Sequence, residues 1–155
     1  MIYVVALNPS IDYLMDVDSF ALGKTNRSSN ESVYIGGKSI NVSIMLNNLG
    51  VDSTLIGFMA GFTGNYIQQE LKNYPHIHTD FIEVNGMTRI NVKLRGIDET
   101  EINGVGTQIS KEDINQLEDK IVSITEDDLV VLTGSVAHGM NYDWYVQVSK
   151  QLHDC

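Results

Sequence analysis

The segment Tyr34-Ile35-Gly36-Gly37-Lys38-Ser39-Ile40-Asn41-Val42 continues through Ser43-Ile44-Met45-Leu46-Asn47-Asn48-Leu49-Gly50. An apolar pair leads into two glycines and Lys38, and apolar residues then recur at 40, 42, 44, 45, 46 and 49. That spacing predicts a helix with one broad buried face, with Gly50 as its stop. Paired glycines at a helix entrance let the backbone take conformations that other residues resist, and let a ligand approach closely. The free N–H groups of the first turn, backed by the helix dipole, favour an anion. Lys38 adds a point charge, and Asn41, one turn on, offers a donor and an acceptor. The chemistry suggested is a small polyhydroxylated, phosphorylated molecule at a helix N-terminus. A plain glycine-rich turn, with Lys38 solvated and Asn41 on the polar face, fits the same spacing. The segment is neither a P-loop nor a Gly-x-Gly-x-x-Gly fingerprint, so a nucleoside triphosphate is not required here.

Upstream, Met1 to Leu7 is an apolar run rich in β-branched residues, which predicts a buried parallel strand. Asn8-Pro9-Ser10 breaks it and leaves Asp12 just beyond the strand's carboxyl end, the edge where open α/β sheets bind ligands. Asp12 there can accept hydrogen bonds from sugar hydroxyls, or simply cap a turn. From Tyr13 to Ile35 short alternating strands flank Gly23-Lys24-Thr25-Asn26-Arg27, as in a sheet with one wet face. Lys24 and Arg27 are either solvated loop cations or charges brought to a phosphate.

Downstream, Ser53 to Met59 reads as a second buried strand and Phe62 to Tyr74 as an amphipathic helix ending before Pro75. The strand–helix alternation favours a parallel sheet with right-handed crossovers. His76 and His78 share a face only in an extended segment; no neighbouring carboxylate or cysteine completes a metal site in the sequence, and a loop is expected. Asp80 to Val84, Thr88 to Arg95 and Glu101 to Asn103 form a second β-rich region around the Asn85-Gly86 turn signal. Arg89, Asn91, Lys93 and Arg95 alternate with Ile90, Val92 and Leu94. Such a strand is either a charged edge that discourages aggregation or a platform presenting Arg89 to a phosphate. Ser110 with Asp113 starts a helix running to about Ile124. Leu129 to Thr133 is a third buried strand, which places Ser135 at the same sheet edge as Asp12, and Asn141 to His153 reads as a final helix.

The 155 residues suffice for one domain with a real core. Acids outnumber bases 20 to 10 and no basic patch appears, which argues against nucleic acid and anionic membrane surfaces. An anionic ligand must therefore be held by local charge. The single cysteine, Cys155, offers no disulfide framework or thiolate cluster. The N-terminal apolar run is short for a signal peptide, no segment approaches a membrane span, and a reducing cytoplasmic setting is expected.

Taken together, Val5-Ala6-Leu7-Asn8-Pro9-Ser10-Ile11-Asp12, Gly36-Gly37-Lys38 with Asn41, Gly50 and Gly61, Thr88-Arg89-Ile90-Asn91, Thr100-Glu101-Ile102-Asn103-Gly104 and Leu132-Thr133-Gly134-Ser135 resemble the PfkB, or ribokinase-like, carbohydrate kinases. The closest likeness is to the hexose-phosphate branch, along nearly the whole chain and in the right order. The resemblance implies an α/β fold: a ribokinase-like, Rossmann-type parallel sheet flanked by helices, with a small β-sheet lid drawn from about 13–35 and 80–103. It implies phosphoryl transfer from ATP, with Mg2+, to a sugar phosphate, fructose 1-phosphate first and tagatose 6-phosphate as the alternative. Carried over residue by residue, Asp12 and Asn41 would hold sugar hydroxyls beside Gly36 and Gly37. Lys38, Arg89 and Arg27 would bind the substrate phosphate, with Ser135 near it. A homodimer through the lid is implied as well.

Ser39 stands where the branch has glycine, and Gly104-Val105-Gly106-Thr107 lacks the branch's proline. The family's second signature, with its catalytic base, anion hole and most of the nucleotide site, belongs to a carboxyl-terminal half that these 155 residues do not contain. No catalytic residue and no metal ligand is therefore assigned here, and residues 1–155 are expected to be the amino-terminal, substrate-and-lid part of a kinase domain. A non-catalytic sugar-phosphate-binding module is the alternative of a different class. A nicotinamide-dependent oxidoreductase is disfavoured, because the first strand lacks a glycine-rich turn after it.

Overall fold

The computed structural model describes residues 1–96 and 98–153, for residue 153 the backbone only; Cys155 lies outside the described residues. In chain order the first elements are β1 (Ile2–Ala6), β2 (Ser10–Asp16), β3 (Asn30–Gly36), α1 (Lys38–Asn48), β4 (Ser53–Ala60) and α2 (Gly61–Leu71). They are followed by β5 (Ile77–Val84), β6 (Arg89–Arg95), β7 (Thr100–Asn103), α3 (Lys111–Val122), β8 (Leu129–Leu132) and α4 (Trp144–His153).

Two sheets form. The central sheet has the order β5-β4-β1-β8 and all of its pairs are parallel. Residues alternate faces along a strand, and here both faces are covered. Val4, Ala6, Leu55 and Met59 join Ile40 of α1 and Ile67 and Leu71 of α2 on one side. Val5, Ile56 and Phe58 join Leu117 and Ile121 of α3 and Trp144 and Val148 of α4 on the other. This two-sided burial explains why β1 and β4 read as continuous apolar runs instead of alternating ones. The expected doubly covered α/β sheet is what the chain builds.

The second sheet, the lid, has the order β3-β2-β6-β7 and is mixed: β2 pairs antiparallel with β3 and parallel with β6, and β6 pairs antiparallel with β7. Its lower apolar residues, Ile11, Ile35 and Ile90, pack on the core beside α1 and α2. Four local expectations change. Asp80 to Val84 belongs to β5 in the central sheet, not to the lid, because β5 pairs along its whole length with β4 and buries Ile77, Ile82 and Val84. Asp12 is not in a break after β1 but inside β2, which resumes extended backbone at Ser10 immediately after Pro9. The Arg89 strand is interior, flanked by β2 and β7, and therefore no solvated edge. His78 also lies in β5 instead of a loop.

Among the described residues no helix is long and apolar enough to cross a membrane.

Candidate functional site

The site begins at the N-terminus of α1. Gly37 occupies the N-cap at φ 110°, a region that side chains resist, and a β-carbon there would meet Pro9 Cα at 3.2 Å. No side chain caps the helix and no acid lies in its first turn, so the leading N–H groups and the positive end of the dipole face outward uncompensated. At the other end Val51 N–H donates to Leu46 O and Gly50 N–H to Asn47 O, with Gly50 at φ 71°. That is the Schellman ending its sequence predicts.

Asp12, reached from β2, is clamped above this turn. Its Oδ1 accepts from Ser10 Oγ and from Asn91 Nδ2, each at 2.9 Å, and its Oδ2 lies 3.0 Å from Lys93 Nζ. Gly36 has room for no side chain, since a β-carbon would stand 2.9 Å from Cγ and both carboxylate oxygens of Asp12. Burial works to raise the carboxyl's pKa, but the hydrogen bonds from Lys93, Ser10 and Asn91 and the Lys93 charge together outweigh it and hold Asp12 below the usual range. Lys93 is raised in turn by its bond to Asp12. The Asn91 amide is only 6% exposed and its Oδ1 has no partner among the described residues. Aiming the amide's donors at a carboxylate strands its acceptor, at a cost of about 1–3 kcal/mol.

Arg89, at the start of β6, donates through Nε and Nη2 to the Asn8 carbonyl at 3.3 and 3.1 Å. Two of its five donors are thereby engaged and the rest of the fork stays open to an anion. Burial lowers the Arg89 pKa, and the Asp12 charge opposes that shift. Asn8 Nδ2 donates to Ser135 Oγ at 3.1 Å, tying the ends of β1 and β8 together.

These groups line one cleft of about 320 Å³ at the carboxyl edge of the central sheet, roofed by the lid. Of the residues anticipated from sequence, Asp12, Gly37, Lys38, Asn41, Arg89 and Ser135 line it together, and Gly36 underlies Asp12. Arg27 does not line it. The β2–β3 pairing runs from Ser10–Gly36 to Asp16–Asn30, so Arg27 lies in the loop past the far end of that hairpin. Ser39, the departure from the branch pattern, is buried at the cleft wall. Asn91, Lys93, Glu101 and Asn103 also line the cleft and were not anticipated. Their signal was the phase they share with Arg89: residues two apart on β6 face the same way, and Asn103 and Glu101 sit directly opposite Asn91 and Lys93 on β7.

His76 and His78 flank Asp52, with His76 Nδ1 at 2.9 Å and His78 Nε2 at 4.0 Å from Asp52 Oδ1, at the amino-terminal edge of the sheet and away from the cleft. The carboxylate absent from their sequence neighbourhood is thus supplied by the residue just before β4, the strand next door. Among the described residues no group of three His, Cys, Asp or Glu side chains is placed to hold a metal ion.

The model of the pfkB family carbohydrate kinases matches residues 5–154. The chain belongs to this family. Within it, the chain is 47% identical over 150 residues to the 1-phosphofructokinase of Bacillus subtilis, a match covering 97% of this chain and 49% of that protein. It is 36% identical to the D-tagatose-1-phosphate kinase of Bacillus licheniformis, covering 97% of this chain and 49% of that one. A crystal structure of a candidate phosphofructokinase from Staphylococcus aureus superposes with a TM-score of 0.91 at 42% identity, covering 99% of this chain and 50% of that chain. The chain thus spans about half the length of the pfkB relatives it matches, and its parallel sheet with a mixed lid is the ribokinase-like arrangement.

Proposed function

We propose that this chain provides the sugar-phosphate site and lid of an ATP-dependent hexose-phosphate kinase that converts fructose 1-phosphate to fructose 1,6-bisphosphate. The observation that carries this reading is the convergence of Asp12, Lys38, Asn41, Arg89 and Ser135, from four separate segments, on one cleft. The cleft presents three cations, Lys38, Arg89 and Lys93, against two carboxylates, Asp12 and Glu101, in a chain whose acids outnumber its bases two to one. That local reversal of charge suits a phosphorylated ligand. Arg89, Lys38 and the first-turn amides of α1 hold the phosphate, with the Ser135 hydroxyl beside them. Asp12, ionised and fixed by three donors, accepts from sugar hydroxyls, and Asn41 both donates and accepts. Positioning of this kind is a large share of what a phosphoryl-transfer enzyme does.

ATP supplies the transferred phosphoryl group and its divalent cation offsets the charge. The residues of this chain do not fit a metal–nucleotide site, because the Lys93 ammonium stands 3.0 Å from the Asp12 oxygen left open and repels a cation there, and no three-ligand cluster exists among the described residues. We assign that site, and the catalytic base, to the further half that the relatives possess. The setting is cytoplasmic, and the partner is a second copy packed on the lid's apolar face, where Val33 and Ile102 are 41% and 61% exposed.

A tagatose phosphate is the second reading, favoured by the likeness to a tagatose-phosphate kinase. Titration of the 15N-labelled chain with fructose 1-phosphate, fructose 6-phosphate and tagatose 6-phosphate tests both. Shifts confined to the cleft, strongest for fructose 1-phosphate and lost in Arg89→Ala, are expected. Asp12-dependent turnover of ATP by these 155 residues alone would overturn the assignment of the base to the other half. A full-length gene product that binds sugar phosphate without turnover would favour a binding module instead.

A further inference from the structure

On the reading of the cleft as a sugar-phosphate site, we infer that Lys93 is a specificity-determining residue that, paired with Asp12, reads the configuration of neighbouring sugar hydroxyls. The Asp12 Oδ1 atom is saturated by Ser10 and Asn91, so a ligand hydroxyl can reach the carboxylate only at Oδ2. Lys93 Nζ stands 3.0 Å from that same oxygen, and 3.7 Å from Glu101 Oε1. An ammonium carries three donors. Asp12 takes one, and Glu101 lies beyond ordinary hydrogen-bond distance. The cleft therefore offers an acceptor and a donor side by side, at about the spacing of two adjacent hydroxyl oxygens on a sugar ring. One hydroxyl donates to Oδ2 while its neighbour accepts from Nζ.

Both contacts form for only one relative configuration of the two hydroxyls, which on this reading is that of the fructose phosphate. An epimer turns one of them away and leaves a cleft donor or acceptor without its ligand partner, the loss on which discrimination of this kind rests. Lys93 sits on an interior strand, paired to Leu14 of β2 and to Glu101 of β7, so its donor is presented by a sheet and not by a loop. The competing account is an ordinary lid ion pair, worth little when a third of the lysine side chain is exposed.

The 1-phosphates of fructose and tagatose differ only in the configuration at one ring carbon, and inorganic phosphate lacks hydroxyl stereochemistry altogether. Dissociation constants for all three, measured by NMR titration of the unmodified chain, Lys93→Met and Lys93→Arg, separate the outcomes. The unmodified chain should distinguish the two sugars by about tenfold, the size of one charge-assisted hydrogen bond. Lys93→Met, which keeps the stem and removes the donor, should bring the two sugars to equal affinity, a loss for the preferred sugar larger than the general weakening of phosphate binding that follows from removing one cleft cation. Lys93→Arg should retain part of the preference. Equal loss for all three ligands, an unchanged preference in Lys93→Met, or no preference in the unmodified chain would overturn the inference. Failure of the unmodified chain to bind either sugar while it binds inorganic phosphate would instead sink the sugar-phosphate reading of the cleft, and this inference with it.

Discussion

Asn8 donates from Nδ2 to Ser135 Oγ across 3.1 Å, although the two residues are 127 positions apart. The same Asn8 accepts Arg89 on its backbone carbonyl. One residue just past β1 thus sets both the hydroxyl and the guanidinium that flank the proposed phosphate position. Asn8→Ala should leave the Arg89 contact, which uses the main chain, and release Ser135. Affinity for fructose 1-phosphate should fall about three- to tenfold, as expected for one neutral hydrogen bond. Ser135→Ala should cost at least as much, and the double variant less than the sum. Titration calorimetry on the four proteins reads the coupling directly.

Gly36→Ala places a methyl group 2.9 Å from three atoms of the Asp12 carboxyl. The carboxylate must swing away from Asn91 and Lys93, so binding should weaken sharply while unfolding free energy drops by about 1–3 kcal/mol, the usual range for overpacking. Denaturant melts paired with sugar-phosphate titrations check it. A variant that binds like the parent would mean that Asp12 moves without consequence.

The Asp12–Lys93 pair has a defined pH signature. Asp12 is depressed when folded, so its contribution is present above the unfolded value of about 3.9 and is lost as pH falls through the folded value. Lys93 is raised, so its contribution is complete below about 10.4 and is lost as pH climbs through its folded value. The pair should thus leave stability flat through neutral pH. In Asp12→Asn the acid limb of a plot of thermal midpoint against pH should be shallower than in the parent as pH falls below about 4.

Stability can also be lowered without touching the cleft. Ser110 Oγ accepts from Asp113 N–H at 3.1 Å while Asp113 Oδ2 accepts from Ser110 N–H at 3.1 Å, closing a capping box on α3. Ser110→Ala should destabilise the chain by about 1 kcal/mol. Sugar-phosphate affinity should stay unchanged, so a parallel loss of both would show that α3 supports the cleft.

Most of the central sheet was legible because its inner strands β1 and β4 are buried on both faces and its helices carry their own start and stop signals, such as Ser110 with Asp113 and Gly50. The lid was harder. Asp80 to Val84 alternates as a half-wet strand would, yet it lies at the sheet's edge with Asp80 exposed and bonded to Lys120, a relation that only tertiary packing creates. At the site, the helix-entrance glycines and Arg89 could be found from local pattern and family likeness. Lys93 and Asn91 share the phase of Arg89 on β6, but their contacts to Asp12 come from the β2–β6 register, which no local pattern encodes. Arg27 shows the converse: positive charge near a phosphate motif in sequence says nothing about which end of a hairpin it occupies.

The cleft's two walls ride on different sheets, Asp12, Arg89, Asn91 and Lys93 on the lid and Lys38, Asn41 and Ser135 on the core. Where the lid leaves the core, a β-carbon on Gly37 would lie 3.2 Å from Pro9 Cα. Bulk added where Pro9 and Gly37 abut would be wedged between the two walls and act as a shim.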